Sequence, residues 1–245
     1  MTPPKTLLNV GAGHPRSGAR IPEVFHPTKW QEVRLDIDPA NEPDVIGTML
    51  DMSAVADESV DAIYSSHTIE HLYPNEIPLA MKEFLRVVKP EGYAVITCPD
   101  LQAAAEMVVQ DKLMGVAYNS PAGPVTPFDI IYSHRMFTAR DKPFMAHHCG
   151  FTLTVLIDTL KSNGFASVVG KRRSRSFDLW ILATKGLVEE TTLRQLAEET
   201  FPKWMSRFAW ALRLICIQRY GKITENTICW QLFTAPTISE YLMFY

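Results

Sequence analysis

Thr6-Leu-Leu-Asn-Val-Gly-Ala-Gly-His14 reads as a short buried strand that runs straight into a glycine turn. Thr6 to Val10 is an apolar run with a β-branched end, the pattern of a central strand. Gly11 and Gly13 remove two side chains where the backbone must turn sharply and admit a ligand at close range. About 23 residues after Gly13, a second apolar strand ends in Asp36, the layout of a nucleotide-type pocket in a doubly wound sheet. Each signal is weak alone. A GxG turn is as often only a tight turn, a strand-end aspartate is usually solvated, and Asp51 has the chemistry of a helix cap. Their weight comes from their order at the ends of successive strands.

The segment His14 to Trp30 carries Pro15, Pro22 and Pro27, which leave room for at most a turn of helix. A dinucleotide site needs a helix there, because its N-terminus holds the pyrophosphate. Further strands are predicted at Glu32 to Ile37, Asp44 to Gly47, Ser59 to Ser65, Tyr93 to Cys98, Ala166 to Gly170 and Phe177 to Ala183. The clearest helix is Glu76 to Lys89, with Ile77, Ala80, Met81, Phe84, Leu85 and Val88 on one face. Pro90 and Gly92 end it. Leu101 to Leu113 and Thr154 to Asn163 also read as helices. Gly115 to Gly150 is long and proline-punctuated, and a loop of that length in a compact domain is usually functional. A boundary is expected near Gly186, giving a domain at 1–186 and a helical, aromatic C-terminal extension at 187–245. In the extension, Glu189 to Glu199 is a polar helical stretch. Pro202 to Arg219 is a helix with Trp204, Phe208 and Trp210, suited to docking or self-association.

With 47% hydrophobic and 21% charged residues, the 245-residue chain can bury a sizeable core. A net charge of -3 argues against a chain built to hold a nucleic-acid backbone. The four cysteines show no CxxC spacing, so a reducing, cytoplasmic location is expected. The N-terminus lacks the basic-then-apolar pattern of a signal peptide, and no apolar run is long enough for a membrane span.

The order strand, turn, three strands, helix, strand, helix and two closing strands resembles the class I S-adenosylmethionine-dependent methyltransferases. Five stretches carry the resemblance. They are Leu8 to His14, Arg34-Leu-Asp-Ile-Asp-Pro39, Leu50-Asp-Met52, Ser59 to Leu72 with its Ser-Ser-His-Thr-Ile-Glu-His run, and Glu83 to Ile96. The resemblance as a whole covers roughly residues 5 to 186 and not the tail. The resemblance implies a Rossmann-like three-layer sandwich whose seven-stranded sheet is mostly parallel, the last strand antiparallel. It implies S-adenosylmethionine as cofactor. The binding residues would be Asn9, Gly11, Ala12 and Gly13 at the turn, Asp36 and Ile37 at the ribose, Asp51 and Met52 at the adenine, and Ser66 and His67 near the methyl group. Two departures stand out: Asn9 replaces the usual acidic residue, and Pro15 replaces a small one. Arg16 or Arg20 would then meet the cofactor carboxylate.

The implied reaction is methyl transfer to a small molecule or a glycan- or lipid-linked group. Its rivals are a nicotinamide-dependent dehydrogenase or epimerase, which the prolines oppose, and a non-catalytic domain that binds a partner. Alignment of donor and acceptor supplies most of such catalysis, and a base matters only where the acceptor loses a proton. Candidate groups are His67, Tyr132, His134 and His147, with His148 beside them. His67-Thr-Ile-Glu-His71 places two histidines at i and i+4, but no metal site is expected. Glu70 and His71 are expected at a helix start packed on the sheet, and His147-His148-Cys149 in a surface loop. Lys171 to Arg175 reads as a solvated turn, with a phosphate-bearing acceptor as the sharper alternative.

Overall fold

A computed structural model describes residues 3–15, 21–120, 122–135, 143–173 and 176–202. In chain order its first half comprises β1 (Lys5–Val10), β2 (Trp30–Asp36), β3 (Val45–Ile46), β4 (Val60–Ser66), α1 (Ile77–Val87) and β5 (Val88–Pro99). Then come α2 (Leu101–Val109), β6 (Tyr118–Ser120), β7 (Gly123–Val125), α3 (Pro127–Tyr132), α4 (Leu153–Ser162), β8 (Ser167–Arg173), β9 (Asp178–Thr184) and α5 (Glu190–Thr200). The main sheet has seven strands in the order β3-β2-β1-β4-β5-β9-β8. Strands β1 to β5 run parallel, and β9, the last, pairs antiparallel with both β5 and β8.

The sheet centre is apolar on both faces, as parallel strands covered by helices must be. Leu8, Ile63, Ala94 and Leu179 are fully buried. One face packs on α1 and α4 through Met81, Phe84, Leu156 and Leu160. Successive strand residues point to opposite faces, so Tyr64 faces away from that cluster. There Phe25 meets the rings of Trp30, Tyr64 and Tyr93 at centroid distances of 5.0, 6.3 and 6.3 Å. Helix α5 lies on β8 and the Glu23–Phe25 turn, and Phe201 packs edge-on against Trp180 at 5.9 Å. The three layers expected from the sequence are present.

Several boundaries differ from expectation for local reasons. Helix α1 stops at Val87, and Val88 already pairs with Val60 in the sheet. Lys89 precedes Pro90, and that position disfavours helix. The expected irregular stretch at Gly115 to Gly150 contains order: β6 and β7 form a two-stranded ribbon, and α3 follows. Pro124 is tolerated in this ribbon because it has no third strand. Thr126 and Asp129 form a reciprocal capping box on α3, with Pro127 in its first turn. The compact unit passes the boundary expected at Gly186 and closes at Phe201, since Leu193, Ala197 and Phe201 of the α5 region are buried. The expected helix over Pro202 to Arg219 and the tail beyond it lie outside the described residues, as do Arg16, Arg20 and Arg175. No described helix is long and apolar enough to cross a membrane.

Candidate active site

Strand β1 has β2 on one side and β4 on the other, so the sheet order reverses between β1 and β4. Ligands in such sheets bind outside the carboxyl ends of the strands at this switch point. The glycine turn leaves β1 there. Gly11 has φ 70° and Gly13 φ 63°, left-handed values that glycine adopts at little cost. A Cβ on Gly11 would lie 2.6 Å from the Thr68 side chain, so the loop leaving β4 packs directly on the turn. Among the described residues a Cβ on Gly13 would meet nothing within 4 Å, so none of them closes the space over the second glycine.

The turn is held from below. Gly11 and Ala12 both donate to the Leu35 carbonyl, at 2.9 and 3.2 Å. The Gly13 N–H donates to Asp36 Oδ2 at 2.8 Å. Asp36 Oδ1 accepts from the Asp38 N–H and from Asn41 Nδ2, both at 2.9 Å. A carboxylate offers about four acceptor positions, so Asp36 keeps roughly one, on Oδ2, for a ligand hydroxyl. The Arg34 guanidinium donates to the carbonyls of Gly13, Asn41 and Glu42 and locks the turn to the loop after β2.

The other expected cofactor residues fall in varied places. Asn9 is buried and its amide donates to Glu32 at 2.7 Å. Ile37 is 54% exposed beside the β2 end, free to lie against a ring. Asp51 is exposed, and its carboxylate accepts the Ser53 N–H at 3.0 Å. Met52 is a core residue, and its N–H donates to Glu83 Oε2 at 2.7 Å. The acceptor position on Asp36 and the space at Gly13 and Ile37 fit a ribose-bearing ligand with a small polar tail.

Across the switch point, β4 ends in Ser65 and Ser66. Ser66 shares a 2.9 Å hydroxyl hydrogen bond with Thr97, while the buried Ser65 hydroxyl has no hydrogen-bond partner among the described residues. His67 turns out of the strand with φ 52° and donates its N–H to the Thr97 carbonyl at 2.9 Å. One 3-10 turn, Ile69–His71, follows and carries Glu70 inward to 1% exposure. The His148 and Cys149 N–H groups donate to the Glu70 carbonyl, at 2.8 and 3.3 Å, which brings the segment after the long loop over this turn. His147 thereby leaves the expected surface and sits 5.0 Å from His71, ring to ring. His148 instead stacks on Tyr73 at 4.1 Å.

His67, Glu70, His71, His134, His147 and Phe177 border a cavity of about 210 Å³ at the ends of β4 and β5. Hence His67, His134 and His147, three of the four candidate catalytic groups, share one chamber. Tyr132 is 56% exposed and borders an adjoining cavity of about 220 Å³. His67 Nδ1 lies 3.4 Å from Glu70 Oε1. This is an ion-pair separation; neither carboxylate oxygen of Glu70 has an aligned hydrogen bond among the described residues. Burial pushes the Glu70 carboxyl up, but His67, then His71 and His147, outweigh it and hold the group below its ordinary value. Burial pushes the His67 imidazole down, and Glu70 more than reverses that. For His147 burial prevails and the ring is held below its usual range, hence neutral near pH 7.

The basic run expected as a solvated turn is built into strand β8 and its partners. Arg172 donates to the fully buried Asp100 at 2.6 Å, and Arg173 pairs with the buried Asp178. Those guanidiniums neutralise internal carboxylates, which leaves the phosphate alternative without its two central donors.

A family model described as "Methyltransferase domain" matches residues 18–96, from the loop after the glycine turn into β5. No curated protein matches the sequence at a significant level. Among solved structures, a protein of Pyrococcus horikoshii is 16% identical with a TM-score of 0.50, over 74% of this chain and 82% of its own. The methyltransferase domain of the citrinin polyketide synthase is 12% identical with a TM-score of 0.49, over 76% of this chain. The chain spans 47% of the length of that domain. An S-adenosylmethionine-dependent methyltransferase of Thermotoga maritima is 18% identical with a TM-score of 0.43, over 76% and 84%. At 16% identity, the likeness to the Pyrococcus horikoshii protein speaks for the fold alone.

Proposed function

We propose that this chain is a class I S-adenosylmethionine-dependent methyltransferase, which binds its cofactor across the β1–β4 switch point and methylates a small polar acceptor in the His67 chamber; the match of residues 18–96 to a methyltransferase-domain model supports the reading. When bound, the cofactor supplies a sulfonium-activated methyl group. The protein's part is to bind, align and exclude water.

One observation carries the reading: the Gly11–Gly13 turn and Asp36 sit at the carboxyl ends of adjacent parallel strands, tied by the 2.8 Å Gly13–Asp36 bond. The space over Gly13 suits the amino-acid tail of the cofactor. The remaining acceptor position on Asp36 Oδ2 suits one ribose hydroxyl, and Ile37 suits the adenine face. Asp51 serves the adenine amino group from the loop after β3. Asn9 and Met52 act from beneath, through Glu32 and Glu83. On the acceptor side His67 stands nearest the methyl: it leaves the end of β4, one residue before Thr68, whose side chain packs on the glycine turn. In the metal-free protein His147, neutral, is the group suited to take a proton. The cavity suits a small molecule, or the terminal group of a glycan- or lipid-linked acceptor.

Titration calorimetry with S-adenosylhomocysteine tests the site. Binding by the wild type, lost in Asp36→Ala and weakened in Asp51→Ala, is the expected result. A folded wild-type protein that ignores S-adenosylhomocysteine and binds NAD would overturn the assignment.

A further inference from the structure

We infer that Glu70, His71 and His147 form a binding site for a divalent first-row transition-metal ion, with zinc(II) as the type ligand. One ligating atom from each residue lies within 4.8 Å of the other two. The donor set, two imidazoles and a carboxylate, is that of three-ligand metal centres that keep open positions.

Two independent features of the cluster point to an ion. Glu70 is 1% exposed and aims into the cluster, yet both its carboxylate oxygens lack a hydrogen bond among the described residues. Among the described residues its one close charged partner is His67 at 3.4 Å; a buried carboxylate without aligned hydrogen bonds is expensive, and an ion is one means of meeting it. The two histidines, moreover, are already oriented as ligands. His71 Nδ1 lies 3.1 Å from the Ala146 carbonyl, and His147 Nδ1 lies 2.9 Å from the Ile130 carbonyl. A carbonyl only accepts, so Nδ1 carries the proton in both rings and Nε2 is left with its lone pair. Metal-binding histidines are held in this way by backbone carbonyls.

Metal bonds of about 2.1 Å set tetrahedral ligands about 3.4 Å apart, and the triad atoms already lie within 4.8 Å of one another. The open positions of the ion border the His67 chamber, which takes the acceptor on the methyltransferase reading above. His67, whose Nδ1 lies 3.4 Å from Glu70 Oε1, competes with the ion for the carboxylate.

Tag-free protein stripped of metal, without cofactor, is titrated with zinc(II) against a chelating dye, and cobalt(II) loading is followed in the visible spectrum. We expect a single zinc per chain. His147→Gln and His71→Gln, each checked by circular dichroism for folding, should bind about 100-fold more weakly or worse. His148→Ala, outside the triad, should bind as the wild type does. A folded wild type that takes up no zinc, or a folded triad variant that binds as tightly as wild type, overturns the inference. S-adenosylhomocysteine binding, measured separately on the metal-free protein, tells failure of this site from failure of the methyltransferase reading.

Discussion

Asp36 and Glu70 are both nearly buried carboxylates at the carboxyl end of the same sheet, 7% and 1% exposed. Their surroundings are opposite. Asp36 accepts three hydrogen bonds from its own neighbourhood, at 2.8 to 2.9 Å. Glu70 accepts none among the described residues and faces three imidazoles. The first carboxylate is part of the frame: it shapes the glycine turn before any ligand arrives and has about one acceptor position to spare. The second is held in reserve, with its charge balanced by neighbours and its lone pairs unspent. A site built on the first kind is preorganised, and one built on the second is completed by what binds to it.

The largest expected effect lies on the Asp36 side. Charge-assisted hydrogen bonds contribute about 1.5–3 kcal/mol each, and partial hydration of the freed donors recovers much of that. Asp36→Ala should therefore lower unfolding free energy by about 2–3 kcal/mol in urea denaturation. A loss of only a few tenths would mean the turn stands without its carboxylate.

Glu70→Gln, in metal-free protein, should cost no more than about 1 kcal/mol, because only the long contact to the half-exposed His67 is lost. If it proves as destabilising as Asp36→Ala, the contrast between the two carboxylates fails.

The smallest effect is the pH dependence of the His67–Glu70 pair. Glu70 is lowered from 4.5, so its contribution is present above that value and fades as pH falls through its folded pKa. His67 is raised from 6.5, so its contribution is present below that value and fades as pH rises through its folded pKa. The stability difference between wild type and His67→Gln should thus peak between pH 4.5 and 6.5. Denaturation at a series of pH values measures it, and a flat difference would show the two groups do not couple.

Much of this molecule was legible before folding was considered. The seven-stranded, mostly parallel sheet is what the family resemblance implies; the strand-turn at Thr6 to His14, the acid at Asp36 and the α1 face from Ile77 to Phe84 follow from hydrophobic period, glycine placement and proline punctuation. These are local properties, expressed within a few residues. The ribbon and α3 inside Gly115 to Gly150 were also signalled, by Thr126-Pro127 followed by Asp129, but short elements with few apolar residues are easily read as loop.

What the sequence by itself determined is the succession of strands, the glycine turn that leaves the first of them and the acid that ends the second. The tertiary structure alone decided the His67 chamber. It brought the Ala146 carbonyl across 75 positions to His71, drew His147 in from a segment that reads as surface, and left Glu70 beneath both. It also turned the basic run at Arg172 and Arg173 into partners for buried aspartates. The reason is physical. Period and turn chemistry depend on neighbours in the chain, whereas a chamber is made by residues that meet only once the sheet has brought their loops to one edge.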